Sequence, residues 1–179
     1  MLLLGLAVYA ASLILALALT PWVRSVARRR GFVDEPGPRK IHDAPVPLGG
    51  GIAVAAAVLL PLLGGLACAK AIDAAGRPSW VPAEALAQLP GALSKAPQLL
   101  VIAAGVVVLF AAGLLDDLRD LAWGWKLLVQ VGVASATVAA GVRLSLFMED
   151  GPAWTRGVAS ALTVLWIVGI TNAFNFLDN

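Results

Sequence analysis

Five long apolar runs, Leu2–Thr20, Leu48–Ala69, Leu99–Leu115, Lys126–Val142 and Gly157–Phe174, fill most of this chain and limit what it can become. Crossing a bilayer as a helix takes about 20 mostly apolar residues, with a usual range of about 17–25. In hydrocarbon every backbone N–H and C=O needs an internal partner, and a helix supplies one within a single segment. The expected fold is all-α: a polytopic membrane helix bundle of about five spans, forming one membrane-embedded domain over residues 1–179.

Composition agrees. The chain is 60% hydrophobic and 13% charged, whereas a soluble domain carries roughly 25% charged residues. Its mean hydropathy is +0.87, so much of its apolar surface needs lipid as solvent. The net charge of +2 gives no sign of a nucleic-acid partner. Cys68 is the only cysteine, which rules out an internal disulfide, and it is expected as a small buried apolar residue.

Charge placement orients the chain. Met1–Thr20 lacks a basic n-region, and its positive charges come after the apolar run, at Arg24, Arg28, Arg29 and Arg30. It therefore reads as an uncleaved span with its N-terminus outside. The short first loop is dense in Lys and Arg, which the positive-inside rule places in the cytoplasm. The sparser Lys70–Pro97 segment is then external, with room for a short interfacial helix. Trp22, Trp80, Trp123, Trp125 and Trp154 fall near span ends, as an interfacial aromatic belt requires. In this orientation the Arg39–Gly51 segment, Asp116 and Asp117, the Arg119–Lys126 loop and Asn172–Asn179 all become cytoplasmic.

Those segments carry the candidate chemistry. Asp116-Asp117 directly follows the run Leu99–Leu115, which at roughly 1.5 Å per residue covers about 25 Å. A charge at the bilayer centre costs about 2.5–3.5 kcal/mol on insertion scales, so two adjacent carboxylates belong at a membrane edge. Close carboxylates repel, and a hard cation such as Mg2+ relieves that repulsion while leaving positions for phosphate and water. The bland reading is a solvated acidic helix end, to which Arg119 and Asp120 belong. Lys126 either snorkels to the interface or reaches the same phosphates.

In the first loop, Arg39, Lys40 and His42 precede Gly49-Gly50-Gly51. These residues suit phosphate neutralisation and close backbone approach, or a topology anchor with a stiff turn. Asn172, Asn175 and Asp178 recur every three residues, so on a helix they occupy a stripe of about 120°. They suit either contacts to a base, ribose or sugar, or polar contacts between helices.

Taken together, RKIHDAPVPLGGG, the GLLDD ending at Asp117 with Lys126 and Gln130 after it, and NAFNFLD resemble the polyprenyl-phosphate N-acetylhexosamine-1-phosphate transferases, glycosyltransferase family 4. The three occur in order across nearly the whole chain, and the N-acetylglucosamine branch fits better than the pentapeptide branch. The resemblance implies a Mg2+-dependent enzyme, with Mn2+ as a substitute, in the plasma (inner) membrane with its active site facing the cytoplasm. A polyprenyl phosphate would attack a UDP-N-acetylhexosamine, releasing UMP and leaving a lipid-diphosphate-sugar for cell-envelope polysaccharide synthesis. It implies Asp116 and Asp117 as metal or base groups, with Asp116 favoured as base. Asp178 would join the metal or the nucleotide-sugar, Asn172 and Asn175 would contact the nucleotide-sugar, and Lys126, His42 and Arg39 would lie on the phosphate side. A homodimer is compatible with it. The usual glycine and second acidic pair after Asp178 are replaced by Asn179 and the end of the chain, so a truncated, inactive fragment is expected. The competing expectation is a non-enzymatic membrane protein, such as a transporter fragment binding a cation at Asp116 and Asp117.

Overall fold

Among the described residues four helices are long and apolar enough to cross a membrane, and in their most apolar stretches only 6–17% of residues are buried within the protein. The rest of that surface needs lipid, as the composition required. The structure is a computed structural model that describes residues 2–36, 43–119, 121–144 and 152–177. These fall into two compact units, 1–96 and 97–179.

In the first unit α1 (Leu2–Arg29) and α2 (Gly50–Ala74) pack along much of their length, with α3 (Ala83–Ser94) against α2. Small buried residues allow the approach: Val23 and Ala27 on α1, Ala53 and Ala57 on α2. Helix α1 runs past the expected end at Thr20, through Pro21, to Arg29. Proline removes one helical donor, a loss tolerated in membrane helices. At 28 residues the helix is about 42 Å long, against about 30 Å of hydrocarbon. Its arginine-bearing end therefore extends beyond the apolar layer. The short helix expected within the Lys70–Pro97 segment is present as α3.

Between α1 and α2 a short ladder closes the first loop: β1 (Val33–Asp34) runs antiparallel to β2 (Val46–Pro47), with Val33 opposite Pro47. Two glycines make this closure. Gly31, at φ +68°, reverses the chain after α1 so that the Phe32 N–H donates to the Ala27 carbonyl at 2.9 Å. Gly49, at φ +87°, starts α2 beneath the Phe32 ring, where a Cβ would sit 3.4 Å from the ring. Only Gly49 of the glycine triplet needs the left-handed region; Gly50 and Gly51 are the first helical residues of α2. Cys68 departs from expectation: it is exposed on α2, facing outward from the helix pair like most of that helix's apolar residues.

In the second unit α4 (Ala96–Arg119), α5 (Trp123–Ala139) and α6 (Ala153–Leu177) alternate in direction. The end of α4, the start of α5 and the end of α6 therefore share one end of the unit. Helix α5 has 17 residues, about 25 Å, which makes it the shortest of the five expected spans. It packs on α6; its buried residues are Gln130, Ala134, Thr137 and Val138, and those of α6 include Thr155, Ala159 and Thr163. Buried threonines satisfy themselves on main chain: Thr163 Oγ1 donates to the Ala159 carbonyl at 2.6 Å and accepts the Leu144 N–H at 3.0 Å. Gly105 of α4 meets Val133 of α5 so closely that a Cβ there would lie 2.7 Å from a Val133 methyl. All five expected spans are thus helical. Trp80, Trp123, Trp125 and Trp154 stand exposed near helix ends, and Trp22 stands exposed seven residues inside the longer α1.

Candidate active site

Asp116 and Asp117 occupy the last turn of α4, where exposed carbonyls make the helix end negative and oppose further negative charge. Two donors offset that opposition at Asp116. The Leu121 N–H donates to its Oδ1 at 2.9 Å, and the Lys126 ammonium lies 2.7 Å from Oδ2. Lys126 stands near the start of α5, where a cation opposes the helix dipole too. Each charge is poorly placed on its own helix and well placed against the other. The Lys126 head is held by a carboxylate at the end of the neighbouring helix. Asp117 is exposed beside this pair.

Four residues along α5 from Lys126, on the same face, lies Gln130. Its side chain is buried, with 8% of the residue exposed, and it pairs with Asn172 of α6. Asn172 Nδ2 donates to Gln130 Oε1 at 2.5 Å and to the Val168 carbonyl at 2.8 Å. Gln130 Nε2 returns a longer bond to Asn172 Oδ1 at 3.5 Å. One face of α5 therefore connects the acids of α4 to the asparagines of α6. Asn175 follows one turn later, exposed.

The structure thus brings together Asp116, Lys126 and Asn172 at one end of the second unit, with Asp117 and Asn175 beside them. Arg39, His42, Asp120 and Asp178 lie outside the described residues. Gln130 had no assigned role in the sequence. An amide on a largely apolar helix, four residues from Lys126, is the signal that singles it out. Among the described residues no group of three His, Cys, Asp or Glu converges on a metal-sized site. The acids end a helix rather than interrupting one, unlike cation sites at the broken helices of transporters. An open cavity of about 530 Å³ in the first unit is lined by Val23, Arg24, Arg28, Asp43, Val46 and Gly50 among others; Asp116, Asp117, Lys126, Asn172 and Asn175 do not border it.

The fold and this site define a polytopic membrane protein whose polar side chains gather at one end of its second helical unit. The profile described as Glycosyl transferase family 4 matches residues 99–179, a stretch that includes the entire cluster and is similar to that family. It is 33% identical over 172 residues to the probable undecaprenyl-phosphate N-acetylglucosaminyl 1-phosphate transferase of Bacillus subtilis (strain 168), covering 93% of this chain and 40% of that protein. It is 32% identical over 168 residues to the decaprenyl-phosphate N-acetylglucosaminephosphotransferase of Mycolicibacterium smegmatis, covering 89% and 36%. The protein of that name from Mycobacterium tuberculosis is 31% identical over 161 residues, covering 87% and 35%. The chain spans 35–40% of the length of these relatives. No solved structure matches it.

Proposed function

We propose that this protein transfers N-acetylglucosamine-1-phosphate from UDP-N-acetylglucosamine to a polyprenyl phosphate, releasing UMP, on the cytoplasmic face of the plasma membrane. The observation that carries the reading is the joined pair of contacts, Asp116–Lys126 and Gln130–Asn172, within the segment matched by the family. An oxygen of the lipid phosphate forms a bond to the sugar-linked phosphorus. The bond from that phosphorus to the bridging oxygen of UDP breaks, and UMP departs with the electron pair. Such a transfer asks for positioning and charge neutralisation more than covalent help from the protein.

The Lys126 ammonium supplies positive charge to the phosphates, and Asp116 fixes where that charge stands. Each Asp116 oxygen accepts one contact and keeps a further lone pair with which it can act as a base. Asp116 and Asp117 offer hard oxygen donors, which suit Mg2+, or Mn2+ in its place; Mg2+ commonly takes one or two carboxylates plus substrate phosphates. When bound, the ion neutralises diphosphate oxygens. Asn172 and Asn175 contact the nucleotide-sugar, with Asp178 next to them in sequence. Arg39 and His42 add to phosphate binding from the first loop. The arginines at the end of α1 support the cytoplasmic orientation.

Membranes containing the full-length protein, given radiolabelled UDP-N-acetylglucosamine and polyprenyl phosphate, should form labelled lipid and UMP in the presence of Mg2+. Absence of labelled lipid with every UDP-N-acetylhexosamine would overturn the reading.

A further inference from the structure

The amide of Asn172 has a fixed polarity. Its Nδ2 donates to the Val168 carbonyl at 2.8 Å, and a main-chain carbonyl can only accept. That bond determines which end of the amide is nitrogen. The second Nδ2 hydrogen goes to Gln130 Oε1 at 2.5 Å, which turns the Gln130 nitrogen toward Asn172 Oδ1. Both donor hydrogens of Asn172 are then used within the protein. Among the described residues Oδ1 receives only the long 3.5 Å bond from Gln130, and it retains acceptor capacity on a residue that is exposed. Gln130 itself is buried in the α5–α6 seam, so its amide is confined to this partnership.

We infer that Gln130 is a positioning residue that holds Asn172 as a hydrogen-bond acceptor for an N–H or O–H group of the nucleotide-sugar. The inference rests on the proposed placement of Asn172 at that substrate and specifies its chemistry. An acceptor matches a base imide, a sugar hydroxyl or an acetamido N–H, and it repels a phosphate oxygen. Asn172 therefore reads the nucleoside or sugar part of the donor substrate, while Lys126, on the same face of α5, is left to the phosphates. Without Gln130 the Asn172 amide keeps the Val168 bond but loses its second Nδ2 partner, so its acceptor edge is held less firmly toward the substrate.

The experiment uses the full-length protein in membranes, measuring KM for UDP-N-acetylglucosamine, KM for polyprenyl phosphate, kcat and the melting temperature in detergent. Gln130→Leu should raise KM for the UDP-sugar about tenfold, the size of one hydrogen bond lost or misdirected, and leave KM for the lipid within about twofold. Gln130→Glu retains the oxygen that accepts from Nδ2 and should bring KM for the UDP-sugar back to within about threefold of wild type. A merely structural role would instead move both KM values together with the melting temperature. That result, or an unchanged KM in Gln130→Leu, overturns the inference. If Gln130→Leu does not accumulate, the closer-sized Gln130→Met carries the same expectation, and failure of Gln130→Glu to restore KM also overturns it. Asn172→Leu separates the two levels. If it raises KM for the UDP-sugar while the Gln130 variants do not, only the inference falls. If it leaves that KM unchanged, the placement of Asn172 falls as well.

Discussion

The Lys126 ammonium stands 2.7 Å from Asp116 Oδ2, tying the start of α5 to the end of α4. The two side chains keep 31% and 22% exposure, so water screens the contact. A pair of this kind contributes at most about 1 kcal/mol to stability. Both charges also oppose their own helix dipoles. The pair is therefore a poor stabilising device and a good way to hold a cation ready for phosphate. Lys126→Met in the full-length protein should reduce lipid-linked sugar formation at least about 100-fold, as loss of one charged transition-state contact does, with little change in melting temperature. Exchanging the residues, Asp116→Lys with Lys126→Asp, restores the ion pair and should not restore activity. Recovery of turnover in the exchanged protein would show that the contact serves folding alone.

Asp116 and Asp117 stand side by side in the last turn of α4, and their variants should affect different quantities. Asp116 is anchored by the Leu121 N–H and by Lys126, so Asp116→Asn disturbs the ammonium as well as any metal. Asp117→Asn removes one anionic oxygen donor beside that anchored pair. It should raise the Mg2+ concentration giving half-maximal activity about tenfold, the loss of one charge-assisted contact of about 1.4 kcal/mol. Asp116→Asn should lower maximal activity even at saturating Mg2+. Titrating activity with Mg2+ in each variant, after chelation of the wild type to zero turnover, checks both outcomes.

How much of this was legible in the sequence depends on which force decides each feature. The spans were legible because lipid demands long apolar runs, and the run before Asp116 fixed its place at a helix end. The true end of α1 was not. Proline usually stops a helix, yet here the chain continues through Pro21 because packing against α2 holds Val23 and Ala27 in helical register. The acids, Lys126 and the asparagines could be assigned to one side by alternating spans. Which of them touch depends on how each helix is rotated about its axis, a three-dimensional relationship such as the close approach of Gly105 to Val133. Hence the sequence suggested snorkelling or phosphate binding for Lys126, and the structure adds its carboxylate partner. Gln130 stood among the matching residues without a task until Asn172 was found against it.

Gly105 sets the distance between α4 and α5. It lies three turns before Asp116 on the same face of α4, and Val133 lies two turns after Lys126 on the same face of α5. A Cβ at position 105 would sit 2.7 Å from a Val133 methyl, and the β-branched valine has little freedom to turn aside. Gly105→Val should destabilise the full-length protein by about 1–3 kcal/mol through overpacking. It should also reduce transfer activity by spreading the helices that carry Asp116 and Lys126. Adding Val133→Ala, which clears space opposite, should recover much of both losses. The melting temperature and turnover of the single and double variants test this directly.

Thr163 offers the opposite contrast, a residue important to the fold and remote from the reaction. It sits in α6 two to three turns before Asn172, buried, with its hydroxyl donating to the Ala159 carbonyl and accepting the Leu144 N–H. The second bond ties the chain leaving α5 back onto α6. Valine at this position preserves shape and removes both bonds. The Ala159 carbonyl keeps its helical partner, but the Leu144 N–H loses its acceptor, so the cost is the roughly 1–3 kcal/mol of an unsatisfied group. Thr163→Val should therefore lower the melting temperature while KM for both substrates stays within about twofold of wild type. Thr163→Ser retains the hydroxyl and should recover most of that stability. If Thr163→Val instead altered KM for the UDP-sugar without changing stability, α6 would be transmitting a displacement from its middle to Asn172, and the separation drawn here between scaffold and site would be wrong.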